Sequence, residues 1–402
     1  MNFYTPESRP RLRYGLAARP YNSSDVVLYD TLGIGQAVVL SRLAVAVAGR
    51  LDGQSTLAEV VRELRAEYPF APLSTNDVVG LAVALDEALL LDSPRLRAHL
   101  DTPVRRPACL APFAADPAAL RDQLAGLFSA SGFPSERPPG GRDRLRAVFV
   151  PHMDYGRGNV TYGYAYKELI ENTDARVFVI VGTSHYSPSR FSVSRQHFDT
   201  PLGLVETDQD FIDRLVARYG PELLEDPVAH VPEHSIELEV VLLQYLLAGR
   251  RPFKIVPLLT GSIHDRVVGR ADPAGADDIA RMVEALRAVE AAYPEPVCYV
   301  ISGDLAHIGP KFGDARQAQE PWLAESRDKD AAVLRTFESA DPAAFFNVIA
   351  EEENSRRICG LSPAWLTLAV ARPRAGQVLH YQQYVHPRGH ESVSFAAAAF
   401  YA

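Results

Sequence analysis

RAVFV-PH at 146–152, RVFVIV-GTSH at 176–185, KIVPLL-TGS at 254–262 and VCYVI-SGDLAH at 297–307 share one design. Each is a short, unbroken apolar run rich in β-branched residues that stops abruptly at glycine, proline, serine or threonine, as a strand buried on both faces does. Between the first two runs, residues 160–170 have helical character. Alternation of buried strands and helices predicts a mostly parallel sheet with helices on both faces, an α/β fold. Open sheets of this kind gather ligands just past the carboxyl ends of their strands. Three of the four runs deliver chemistry there: His152 after the first, His185 after the second, and Asp304 with His307 after the fourth. A single histidine beyond a strand is usually an ordinary loop residue, but three such placements in one sheet point to a site.

A further candidate is HVPEH at 230–234, which runs into an apolar helix over 235–247. As a string it matches a zinc-protease signature, H-x-x-E-H. That reading requires both histidines on adjacent turns of one helix, whereas Pro232 fits only a first turn. Glu233 and His234 remain candidate catalytic groups at the helix start, where the positive dipole end favours a neutral imidazole. Helix capping is the competing reading.

The chain has 402 residues, 47% hydrophobic and 23% charged, with a formal net charge of −9. That length predicts more than one core. No apolar run approaches the ~18 residues that span a bilayer, which excludes a membrane protein of the helical class. The opening MNFYTPESRPRLRYG lacks the apolar stretch of a secretory signal, so a cytoplasmic location is expected. The acidic balance disfavours nucleic acid as a partner. Cys109, Cys298 and Cys359 lie far apart without paired spacing and read as reduced, mostly buried thiols.

Residues 1–95 read as a small α+β module. Thr56 and Glu59 form a capping-box pair ahead of Leu57, Val60, Val61 and Leu64 on one helical face. A second helix starts near Ser74 and sets Val78, Leu81, Leu85 and Leu89 in a stripe. Residues 26–29 and 37–40 predict short strands. The layout LDGQSTLAEVVRELRAEYP…STNDVVGLAVALDEALLLDSP resembles the PqqD-like winged-helix module. Winged helices often bind DNA, yet residues 74–92 contain no Lys or Arg to neutralise phosphate. Docking of a peptide or protein, or a purely stabilising role, fits better. Residues 96–110 read as a linker, and 111–402 as the α/β domain. Within it 113–130 predicts a helix opened by Asp116 and Pro117, and GFPSERPPGGRD a loop into the first strand.

The motifs PHMDYGRGNVTYGYAYKEL, VGTSHY, DTPLGLVETD, EHSIELEVVLLQYL, KIVPLLTGS, SGDLAHIG, ICGLSPAWLTL and SVSFAAAAF occur in the order found in the MEMO family. The whole resembles the AmmeMemoRadiSam system protein B form of that family, which has the fold of LigB-type class III extradiol dioxygenases. The resemblance implies a mononuclear divalent metal, iron favoured over zinc. It implies His152 and His185 as ligands and His234 as the histidine beside the metal. The family's third ligand is the cysteine of an S-S-D-x-C-H motif, and that position here is Ala306, which cannot bind a metal. Asp304, His307 or His234 are left to complete the set. Asp154 is a candidate for orienting an imidazole from behind.

Two functions follow. One is a metal-dependent enzyme of dioxygenase type, with His152, His185, His234 and His307 as candidate ligands and His234, Asp304 and Glu233 as candidate catalytic groups. The other is a non-catalytic metal-binding or docking component that works with radical SAM and AMMECR-type proteins, or a peptide, through residues 1–95.

Overall fold

The structure is a computed structural model that describes residues 4–70, 72–109, 112–130 and 145–402. The chain divides into two compact units, Met1–Thr102 and Pro103–Ala402. The glycine- and proline-rich stretch at 132–143 lies outside the described residues.

In the first unit an antiparallel sheet of Leu16–Pro20, Asp25–Asp30 and Val38–Ser41 is followed by the helices Arg42–Ala48, Leu57–Glu67, Thr75–Glu87 and Pro94–Leu100. The expected capping box is present: Thr56 Oγ1 accepts from the Glu59 N–H at 3.1 Å, and the Glu59 carboxylate accepts from the Thr56 N–H at 2.8 Å. Leu57, Val60, Val61 and Leu64 are all buried behind it. At roughly 1.5–3 kcal/mol for each buried aliphatic side chain, this face stabilises a helix too short to persist in isolation. The stripe on the next helix is shorter than its spacing predicts. Val78 and Leu85 are buried as expected, but Leu89 lies past the helix end with φ of +60°, and Ala82 joins the core.

The second unit starts earlier than the sequence suggests. The stretch read as a linker holds the last helix of the first unit. It also holds a strand, Val104–Arg105, paired in parallel with His197–Thr200. Arg105 is buried, so this residue is part of the second core and not a tether. The expected helix opened by Pro117 is present as Pro117–Ala130, with Asp116 Oδ1 accepting from the Ala119 N–H at 2.8 Å.

The large sheet of this unit has eight strands. In chain order they are β1 (Leu145–Val150), β2 (Val177–Thr183), β3 (Phe191–Val193), β4 (Lys254–Thr260), β5 (Val297–Ser302), β6 (His307–Ile308), β7 (Ala375–Val385) and β8 (Ser392–Tyr401). Across the sheet they run β6-β8-β1-β5-β2-β4-β3, with β7 paired to β8. The four central strands β1, β5, β2 and β4 are parallel. They are the four apolar runs of the sequence. The antiparallel flank of β6, β7 and β8 and the short antiparallel β3 complete the mixed sheet.

Alternate residues supply two cores. Val148, Val150, Phe178 and Ile180 pack on one face with helix α1 (Tyr155–Asn172) and helix α2 (Glu237–Leu247). Ala147, Phe149, Val177 and Val179 pack on the other with helix α3 (Leu361–Ala371), whose Trp365 and Leu368 are buried there. Burial on both sides explains why these strands lack the polar alternation of a half-exposed sheet. Among the described residues no helix is long and apolar enough to cross a membrane.

Candidate metal centre

β1 ends at Val150, and two residues on, after Pro151, His152 is 3% exposed. Its N–H donates to Asp304 Oδ1 at 3.2 Å, which ties the ends of β1 and β5 together. β2 ends at Thr183 and delivers His185. The third imidazole, His234, comes from the loop before α2. Ser235 Oγ donates to the Thr183 carbonyl at 2.8 Å and so holds this loop on the end of β2. That approach needs Gly182: a Cβ there would lie 2.6 Å from Ser235 Oγ.

The three rings converge. Their centroids lie 5.0 Å apart for His152 and His185, 5.2 Å for His152 and His234, and 4.7 Å for His185 and His234. One donor atom from each falls within 4.8 Å of the others. An ion held at roughly 2.0–2.3 Å from each ligand bridges atoms up to about 4.6 Å apart, close to that bound.

Glu233 sits beneath two of the rings. Its Oε1 lies 2.9 Å from His185 Nδ1 and 3.3 Å from His234 Nδ1, and Oε2 accepts from the His185 N–H at 2.8 Å. The His234 and Ser235 N–H groups also donate to Oε1, each at 3.0 Å. Burial alone would raise this carboxyl, but His185 and the surrounding donors outweigh it and hold it at about 2. Against the pull of burial, the same pairing lifts His185 to about 10, helped by Cys359. His152 lies well below its ordinary value because of burial and then the neighbouring imidazoles, and His234 is lowered to about 4 for the same reasons. Two rings are therefore neutral donors, and the third carries a proton that an incoming cation would displace.

A second donor set shares His152. Cys359 Sγ lies 3.1 Å from His152 Nε2, and Asp304 Oδ2 lies 3.7 Å from the same atom. The ligand atoms of His152, Asp304 and Cys359 fall within 4.8 Å of one another. Burial raises Asp304 to about 7, partly opposed by the His152 N–H. Cys359 stands on the turn before α3, and two glycines bring it in. A Cβ on Gly303 would lie 2.4 Å from Gly360 Cα, so a side chain there would push the turn away. From the sequence Cys359 reads as one of three reduced, mostly buried thiols. The available signal was a cysteine in ICG, immediately before a helix, rather than inside a strand as Cys298 is.

The other candidates lie elsewhere. His307 belongs to neither donor set; its Nδ1 lies 3.0 Å from the Leu305 carbonyl and its ring meets Phe312 edge-on. His230 is buried in a short 3-10 turn apart from both. Asp154 does not orient an imidazole: it caps α1, accepting from the Arg157 N–H at 2.9 Å, and pairs with the Arg157 guanidinium. Position 306 is occupied by a buried alanine whose N–H donates to Ser394 Oγ at 2.9 Å. Cys359 also lines a cavity of about 290 Å³, together with Thr183, Ser184, Ser262, His264 and Ser362.

Residues 107–399 match the family described as Memo-like protein. The chain belongs to the MEMO family. MEMO relatives include a MEMO1 family protein of Thermus thermophilus, 28% identical over 338 residues, which span 81% of this chain and 93% of that protein. A MEMO1 family protein of Aquifex aeolicus is 27% identical over 262 residues, 64% of each chain. The memo-1 homolog of Caenorhabditis elegans is 26% identical over 271 residues, 64% of this chain and 72% of that one. The MEMO match begins just after Arg105, within the second unit, and takes in both donor sets.

Proposed function

We propose that this MEMO-family chain holds one divalent metal ion between His152, His185 and His234, with Asp304 as the nearby carboxylate, and that it acts as a metal-dependent oxidoreductase of the extradiol dioxygenase type. The observation that carries this reading is the convergence of three imidazoles, delivered by three separate segments, with donor atoms within 4.8 Å of each other. Two imidazoles and a carboxylate on one face are the donor set of non-haem ferrous oxygenases, which favours iron over zinc. Such an ion would supply open positions for dioxygen and a chelating substrate.

The chain's own groups fit that role. Glu233 fixes His185 through its Nδ1, so that Nε2 is that ring's remaining donor, as outer carboxylates do for metal-bound histidines, and it holds the His234 backbone N–H. His234 is neutral and about a third exposed, which suits it to accept a proton from a bound substrate or to complete the ligand set. Glu233 is too deeply buried to meet substrate and acts by positioning. Asp304, poised near neutrality, holds or releases a proton beside His152.

A second reading makes the chain a docking component of an AmmeMemoRadiSam system, with a PqqD-like first unit engaging a radical SAM enzyme, an AMMECR-type protein or a peptide. It is favoured by Ala306, where a ligand cysteine is expected. Deleting residues 1–102 should then abolish capture of such a partner.

The metal reading is tested by elemental analysis after anaerobic reconstitution with ferrous iron. About one iron per chain is expected for the native protein and much less for His152→Ala. Equal uptake by the two would remove the basis of the proposal.

A further inference from the structure

Resting on the metal-centre reading above, we propose that Cys359 is itself a ligand of the metal, placing a thiolate in the site from the turn before α3.

Cys359 Sγ is the one cysteine sulfur in a position to do this. Cys109 and Cys298 are buried in the core on the α1 and α2 face of the sheet. Cys359 Sγ instead lies 3.1 Å from His152 Nε2, so it contacts the imidazole that the two donor sets share. It also receives the Asp304 N–H at 3.2 Å. With metal–nitrogen bonds of about 2.1 Å and metal–sulfur bonds of about 2.3 Å, two ligand atoms on one ion can stand anywhere up to roughly 4.4 Å apart. The observed separation lies comfortably inside that limit.

Two further features hold the sulfur in place. The Gly303–Gly360 contact fixes the turn against the end of β5, and Thr183 Oγ1 donates to the Cys359 carbonyl at 2.9 Å, fastening it to the end of β2. The turn is thus tied to two of the strands whose ends build the site. On binding, the S–H bond breaks as the sulfur–metal bond forms, and the proton leaves to solvent. The thiolate joins the donor atoms of His152 and Asp304, making a set softer than one closed by carboxylate alone, and the absence of a ligand at Ala306 is made good from a different part of the chain.

The test is anaerobic titration of the full-length protein with Co(II), read by optical absorption. Native protein should develop an intense near-ultraviolet sulfur-to-cobalt charge-transfer band. Cys359→Ser should still take up Co(II), with affinity reduced about tenfold or more, and should lack the band. Cys109→Ser and Cys298→Ser should keep it. Circular dichroism of Cys359→Ser identifies a folding defect, and in that event Cys359→Ala and the band of the native protein decide the matter. Stoichiometric Co(II) binding by native protein without a charge-transfer band would overturn this proposal while leaving the histidine site standing. Failure of native protein to bind Co(II) or ferrous iron at all would overturn both.

Discussion

His185 and Glu233 are joined twice, ring nitrogen to Oε1 at 2.9 Å and backbone N–H to Oε2 at 2.8 Å. The carboxylate therefore fixes both the position of this residue and the direction of its ring, and through Oε1 it also reaches His234. Glu233→Gln keeps the size of the side chain but removes the charge. Loss of a carboxylate behind a metal-bound imidazole typically lowers metal affinity by about 10–100-fold. Anaerobic calorimetric titration with ferrous iron should show a fall of that size with stoichiometry retained. Unchanged affinity would mean that Glu233 does not support the ligands.

Gly303 allows the end of β5 and the turn of Cys359 to touch. In Gly303→Ala the new Cβ would meet backbone rather than a movable side chain. Overpacking of this kind costs about 1–3 kcal/mol. Urea unfolding should register that loss, and Co(II) affinity should drop with it because the turn is displaced. A variant that unfolds and binds like the native protein would show that the turn has room to spare.

Arg105 lies 4% exposed against a fully buried Glu237, and its guanidinium also donates to the carbonyls of His230 and Glu233, each at 2.8 Å. It clamps the loop that carries His234. Removing one partner of a buried ion pair leaves the other charge uncompensated, at a cost of about 3–5 kcal/mol. Arg105→Ala should therefore be strongly destabilised in urea titrations. Arg105→Lys, which keeps the charge but not the planar fork, should fold better yet bind metal more weakly than native protein. A fully stable Arg105→Ala would contradict the clamp.

How much of this was legible in the sequence depends on the kind of signal. The four parallel strands are visible because burial on both faces forces continuous apolar runs, and His152, His185 and His234 because they follow such runs or open a helix. Arg105 is hidden in a polar, proline-flanked stretch that looks like a tether, since a two-residue strand has no periodicity to detect. Cys359 is hidden because it reaches the site by tertiary contact alone, through two glycines more than fifty residues apart in sequence whose pairing no local pattern records. The β7–β8 hairpin joins the sheet antiparallel, which an apolar, alanine-rich run such as SVSFAAAAFY does not specify.

In the first unit, Arg13 and Asp30 form a buried ion pair at 2.7 Å, and Asp30 also accepts from the N–H groups of Leu32 and Gly35 at 2.8 and 2.7 Å. Burial would raise this carboxyl, but Arg13 and the backbone donors prevail and its pKa is lowered. A folded-state value below the unfolded one, about 3.9, stabilises the protein above that pH, and the stabilisation is lost as pH falls through the folded value. Acid unfolding of Asp30→Asn should accordingly show a shallower pH dependence than the native protein below about pH 4. Identical acid transitions would indicate that the pair contributes nothing.

Anomalous diffraction at the iron edge, from crystals of the anaerobically reconstituted protein, locates the ion that rings from three segments would share. A single strong peak is expected within roughly 2.0–2.3 Å of ring nitrogens of His152 and His185, beside His234. A peak elsewhere in the molecule, or none at full reconstitution, would contradict the shared site.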